Sequence, residues 1–398
     1  MHGSLIPAFD LCYFKRIKAE AYNKEEKMKK LLSVVLASVM AMTVLAGCSS
    51  GGIQVGGGSA KTTTAAAAEA KSDAVAADGT SSLKGQNVRV VIGSTSTSGD
   101  SYMMADLVTR YLSKYMGFNG KVDAIGNAAA LDAMQTEKGD GKTVLISHDI
   151  TYMSVLFGAV DEKYSLENMT VGPRVGRNPG GCFGAAKESG WTSLADVTKY
   201  LKDNPDKTVS FNIEAGGTSH IAFVGYYLDV KAKEGDDVAN RIKVVVGGTT
   251  AEKLQRLWDR NADVIYGDTS AFQQYTADGV KDQLAMNMFD SGSKVEGIEI
   301  NSMADDGIEF DGKPFDFPKD FAMYFPKDMD ASVLSEYDAA MKKVAADPDF
   351  QEDMKKLYYT PLTADEVALD ASQKFIYEKR DLCAEVIAKA PNLDDITA

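Results

Sequence analysis

The sequence predicts an α/β protein of two domains with mostly parallel sheets, on three observations. Short apolar runs alternate with helical patterns from residue 88 to residue 325. Several of the runs are apolar throughout, as strands covered on both faces are. The body of the chain, from Leu83 to Ala398, exceeds what one core supports, since single cores stop growing near ~250–300 residues.

The strand-like runs are, in order, VRVVI (88–92), KVDAI (121–125), TVLIS (143–147), CFGAA (182–186), TVSFNI (208–213), IKVVV (242–246), DVIYG (263–267), QLAMNMF (283–289) and FAMYF (321–325). Helical stretches between them carry capping residues: Asp100 or Ser101 before YMMADLVTRYLSKYM, Ser193 before LADVTKYLKDNP and Thr250 before AEKLQRLWDRN. Asp311-Gly312, between IEF and KPF, reads as a hairpin turn. Beyond 325 the pattern is helical over 331–346, 349–357 and 363–390. Ligands of open parallel sheets bind beyond the carboxyl ends of the strands. That rule points to GSTSTSGDS (93–101), which follows the first run.

The N-terminal part is of another kind. Met28-Lys29-Lys30 precedes the apolar run 31–46, which ends at Gly47-Cys48. A basic start, an apolar stretch and a small-residue boundary make a secretory signal. The run falls short of the ~20 apolar residues that span a bilayer. LAGC resembles the lipobox of bacterial lipoproteins, which implies cleavage before Cys48 and lipid on its thiol. Residues 1–27 form an upstream extension, so 1–47 are expected to be absent from the mature protein. Residues 48–82 are Gly, Ser, Thr and Ala with few apolar side chains. They are expected to be a flexible tether, lacking the apolar area that would offset ordering.

The formal net charge is −14, and the signal region is itself basic, so the body is more acidic still. A nucleic-acid partner is excluded by that balance, because such partners need a basic footprint. Of four cysteines, Cys182 and Cys383 lie in the body. They form no disulfide framework and are expected to be buried thiols.

The order of motifs carries a resemblance. Strand, Gly/Ser loop ending in Asp and long helix (88–116) precede DGKTVLISH (140–148) and SLADVTKYLKDNPDKTVSF (193–211). AGGTSH (215–220), KVVVGGTTAEKLQRLWDRNADVIYGDTSAF (243–272) and KKVAADPDFQEDMKKLYYTPLTADE (342–366) follow. Together they resemble the substrate-binding proteins of tripartite tricarboxylate transporters, the Bug-type receptors. The resemblance implies a two-domain clamshell of the periplasmic-binding-protein type II class, without catalysis. Domain I would comprise 83–186 plus 290–398, and domain II 187–289. It further implies a small carboxylated ligand and a membrane transporter as partner. With the signal segment and lipobox, the protein is expected to be exported and anchored by lipid at the outer face of the cell membrane, or periplasmic in a two-membrane cell, as a monomer without cofactor or metal.

The residues expected at the ligand are Ser94, Thr95, Ser96, Thr97, Ser98, Gly99 and Asp100 in the first loop. Ser147 and His148 end the third run, Gly216, Gly217, Thr218, Ser219 and His220 form the second loop, and Asp268 follows DVIYG. Both loops lead into helices, whose first amide groups and dipole favour an anion. Gly99 and Gly216 are the positions where a left-handed backbone or close ligand approach would exclude a side chain. The first loop departs from the family in trading glycines for hydroxyls.

Other chemistries fit less well. No Gly-Lys-Ser/Thr follows the first loop, and GIEFDGKP (307–314) has Pro where a P-loop needs Ser or Thr. The body has only His148 and His220, too few for a helical two-His metal motif. Receptors of ABC or TRAP importers share the clamshell logic. A secreted serine hydrolase would use Ser96 or Ser98 with His220 and Asp268 in hydrogen-bonding sequence.

Overall fold

The computed structural model describes residues 81–97, 99–247 and 249–398. The signal region 1–47, the lipidation site Cys48, the tether up to residue 80 and Ser98 lie outside the described residues. The sequence places the end of the tether at residue 82, yet Ser81 and Ser82 already belong to the fold. Their hydroxyls donate to Glu336 at 2.8 and 3.1 Å.

Among the described residues two five-stranded sheets carry the architecture. The first is built from β1 (Asn87–Ile92), β2 (Asn119–Ala124), β3 (Thr143–Ser147), β4 (Met169–Asn178) and β12 (Lys319–Pro326), in the order β2-β1-β3-β12-β4. The second is built from β5 (Gly181–Ala186), β6 (Val209–Ile213), β7 (Ile242–Val246), β8 (Val264–Asp268) and β9 (Met286–Ser291), in the order β7-β6-β8-β5-β9. Each sheet has one strand running against the rest, β12 in the first and β5 in the second. The remaining pairs are parallel, with helices covering the faces.

Local sequence explains most elements. The helix Asp100–Met116 buries Met104, Leu107, Val108, Tyr111 and Leu112, one face at helical spacing, against the first sheet and the helix Ala331–Ala345. It ends at Gly117 in the left-handed region, whose N–H returns to the Ser113 carbonyl. Ser193 caps the helix Leu194–Asp203 by accepting from Asp196 N. The helix Thr250–Trp258 is capped by Thr249, one residue earlier than expected, because Glu252 completes a capping box with it. Asp311 and Gly312, both at positive φ, turn the hairpin of β10 (Glu309–Phe310) and β11 (Lys313–Pro314). Cys182 and Cys383 are free and buried.

The chain crosses between sheets at different places from those expected. It leaves the first sheet at Pro179-Gly180, with Gly180 at φ +97, and β5 already pairs with β8. The return follows Ser291, not residue 289. Residues 181–186 and 290–291, grouped on sequence with domain I, therefore lie in the second sheet. β4 was not anticipated, because MTVGPRVGRN mixes Gly, Pro and Arg and shows no strand period.

Segments assigned to domain I also cover the second lobe. Phe315 lies so close to Gly225 that a Cβ there would sit 2.2 Å from its ring. Glu309 N donates to Asp229 Oδ1 at 2.9 Å. The C-terminal end pairs with the edge strand β7, with Val244 N donating to Ile396 O and Ala398 N to Val244 O. The helix Leu369–Lys389 packs on β4 and on the helices Ile150–Leu156 and Thr218–Glu234.

Candidate functional site

The carboxyl ends of the parallel strands of both sheets open onto one cavity of about 280 Å³. From the first sheet come Gly93 and Ser94 after β1, Asp100 and Ser101 at the head of the next helix, and Ser147 and His148 at the end of β3. From the second come Glu214 and Gly217 after β6, Thr218 and Ser219 in the first turn of the helix Thr218–Glu234, and Thr250 and Lys253 after β7. Tyr266, Gly267 and Asp268 close β8. Lys319, the first residue of β12, completes the wall.

The strongest electrostatic feature is a pair that the sequence did not suggest. Lys319 Nζ lies 2.7 Å from Asp100 Oδ2 and 3.5 Å from Asp268 Oδ1. Asn178 Nδ2 donates to the same Asp100 oxygen at 3.1 Å, and Ser101 N donates to Oδ1 at 2.7 Å. Burial alone would raise the Asp100 pKa, but the Lys319 ammonium outweighs it and holds the carboxyl well below the usual carboxylate range. Lys319 is in turn raised: burial opposes its charge, but Asp100 and Asp268 outweigh it.

The next residue along β12 turns to the opposite face, as the two-residue period of a strand requires. Asp320 there accepts from Lys379 Nζ at 2.7 Å and Arg177 Nε at 2.9 Å. Its own N–H donates to Asp149 Oδ2 at 3.0 Å, which ties β12 to the residue after His148. This buried network fixes the strand from which Lys319 projects.

Neither histidine is charged at neutral pH. Burial, followed by the neighbouring Lys319, brings His148 down to about 4. Its Nδ1 accepts from Ile150 N at 3.3 Å and its ring stands edge-on to Phe321. Burial brings His220 to about 4 as well. That ring stacks on Phe157 and its Nδ1 accepts from Gly216 N at 3.1 Å, so it shapes the second loop from behind.

Of the residues expected at the ligand, Ser94, Asp100, Ser147, His148, Gly217, Thr218, Ser219 and Asp268 line the cavity. Thr95, Ser96, Thr97, Gly99, Gly216 and His220 do not. Thr95, Ser96 and Thr97 are exposed, and Ser94 Oγ accepts from Ser96 N at 3.0 Å to turn the loop away from the cavity. Gly216 sits at φ +78, which only glycine adopts readily, whereas Gly99 at φ −91 and ψ 170 is ordinary extended backbone. Ser219 Oγ accepts from Glu214 N at 2.8 Å, closing the second loop on itself.

Among the lining residues that sequence reasoning missed are Lys319, Lys253, Glu214 and Tyr266. GGTT (247–250), a third glycine-bearing link between strand and helix, was the available signal for Lys253. Nothing local marks Lys319. The hydrolase arrangement is not assembled, because Asp268 is directed to Lys319 and the described residues contain no His220–Asp268 hydrogen bond.

No protein-family model and no curated protein matches the sequence. The fold is nevertheless similar to solved structures of periplasmic binding proteins. One is the periplasmic binding protein BugD, at 19% identity and a TM-score of 0.54, covering 76% of this chain and 97% of that one. A TctC solute-binding protein from Polaromonas aligns at 12% identity and a TM-score of 0.58, over 76% and 98% of the two chains. MatC from Rhodopseudomonas palustris with bound malate aligns at 14% identity and a TM-score of 0.56, over 76% and 99%. At these identities the likeness establishes the fold, two α/β lobes of the periplasmic-binding-protein kind.

Proposed function

We propose that this protein is an exported solute receptor that captures a small carboxylated compound between its two lobes and releases it to a membrane transporter of the tripartite tricarboxylate type. The observation that carries the reading is the convergence of two glycine-containing loops, each leading into a helix N-terminus, on one cavity from two separate sheets. First-turn amides and aligned peptide dipoles favour a carboxylate at such a place. The likeness in fold to a protein solved with malate supports the same ligand class.

Capture needs no chemistry. A ligand that contacts both lobes binds the closed arrangement better than the open one and shifts the population toward it. The two crossings, Pro179-Gly180 and Ser291-Gly292, are the places where the chain would bend. Lipid on Cys48 and the tether behind it would hold the receptor at the membrane as a monomer, within reach of its transporter. A diacyl anchor rather than one chain is what makes such attachment stable.

Thermal-shift screening against di- and tricarboxylates, aromatic acids and amino acids tests the binding reading, because a ligand of the folded state raises Tm by mass action. Stabilisation by at least one acid at submillimolar concentration is expected, and no response to any acid would refute it. Cys48→Ser tests the anchor separately: release from membranes or blocked processing is expected, and unchanged membrane association would refute it.

A further inference from the structure

Five Asp, Glu and Lys side chains surround the cavity, and four have a ready account. Lys319 is held by Asp100 and Asp268, and Glu214 is exposed to water. Lys253 is different. It is 5% exposed, and among the described residues its ammonium makes one hydrogen bond, 3.0 Å to the Tyr266 carbonyl. No described carboxylate oxygen lies within the 4.0 Å of an ion pair. Glu214 and Asp268 act on it only from farther away.

A buried ammonium without a counter-ion is costly, since desolvation is compensated only by a close opposite charge or by full hydrogen bonding. One carbonyl satisfies one of its three protons. The fold nevertheless holds the side chain there firmly. The Thr249–Glu252 capping box fixes the first turn of its helix, and Leu254 and Leu257 bury the same side against the second sheet. A Met or Leu at this position would fill the space without the penalty. The arrangement is accounted for if the missing counter-charge arrives with the ligand.

We propose that Lys253 is the ion-pairing residue for the carboxylate of the bound ligand and sets the preference for anionic over neutral ligands. This rests on the solute-receptor reading and goes beyond it. The amide groups at the helix N-termini donate to any oxygen, charged or not, whereas a desolvated ammonium discriminates by charge. The second lobe therefore takes the carboxylate end. In the first lobe Lys319 is already neutralised, so Ser94, Ser101 and Ser147 present hydrogen-bonding groups to the remainder of the ligand.

The test is calorimetric titration of the purified protein with succinate, malate, adipate and benzoate, each beside the analogue in which one carboxyl is a primary amide. For any acid the wild type binds, Lys253→Met should weaken binding by about thirtyfold or more, the cost of truncating one partner of a buried charge pair. It should also abolish the acid-over-amide preference, while Lys253→Arg keeps most of that preference. The unliganded Lys253→Met protein should unfold at the same or a higher temperature, which a residue serving only to bond Tyr266 would not do. Lys253→Gln serves if the Met variant does not fold. Wild-type affinity and preference in the Met or Gln variant would overturn the role of Lys253 alone. Failure of the wild type to bind any of the four acids would overturn the carboxylate reading together with it.

Discussion

Lys319 and Asp100 stand 219 residues apart in the chain and 2.7 Å apart in the cavity wall. The pair joins the first residue of β12 to the first residue of the helix that follows β1. It also draws in Asp268 from the other sheet, so one ammonium links the two lobes.

Removing that ammonium should leave the largely buried Asp100 carboxylate without its counter-charge, beside the more exposed Asp268. Lys319→Met is expected to cost about 3–5 kcal/mol of stability, the range for breaking a buried pair from one side. Adding Asp100→Asn should restore much of the loss. Urea unfolding of both single variants and the double variant measures the coupling, and additive effects would show that the two side chains act independently.

The two glycines singled out at the loops should respond oppositely. Gly216 at φ +78 forces any side chain into the left-handed region, so Gly216→Ala should destabilise by about 1–2 kcal/mol. At Gly99 a Cβ would meet only Ser96 Oγ, at 3.9 Å, and Gly99→Ala should be neutral or slightly stabilising. Denaturant midpoints of the two variants decide the matter.

Stability should fall on the acid side of neutrality through the histidines. Folded His148 and His220 take a proton only near about 4, whereas the unfolded chain takes one near 6.5. Their contribution is therefore complete above 6.5 and is lost as pH falls through about 4. His220→Gln should flatten the decline of Tm between pH 6.5 and 4. An unchanged slope would mean that His220 is already protonated in the fold.

Asp290 should act in the opposite direction. It is fully buried at φ +45 and accepts a hydrogen bond from Leu194 N. Burial first, and then Asp306, push its carboxyl up to about 9. A pKa raised on folding contributes stability that is complete below the unfolded value and is lost as pH rises toward 9, at up to about 1.4 kcal/mol per pH unit. Asn tolerates this backbone and keeps the acceptor, so Asp290→Asn should be more stable than wild type at pH 8.5, with the advantage shrinking by pH 5. Equal Tm values at pH 8.5 would contradict a protonated Asp290.

The sequence by itself determined the alternation of strands and helices, the hairpin at Asp311-Gly312, the cap at Ser193 and the position of both loops at strand ends. All of these rest on periodicity and turn chemistry that act within a few residues. Only the tertiary structure decided which loop residues face the cavity, turning Thr95, Ser96 and Thr97 outward and placing His220 behind Gly216. It alone brought Lys319 to Asp100, buried Lys253 and added the C-terminal end to the edge of β7. β4 escaped notice for the same reason, since its Gly, Pro and Arg residues are tolerated through partners supplied by β12 and the C-terminal helix. Charge pairing and edge-strand addition depend on distance in space and are indifferent to separation along the chain, so no local pattern encodes them.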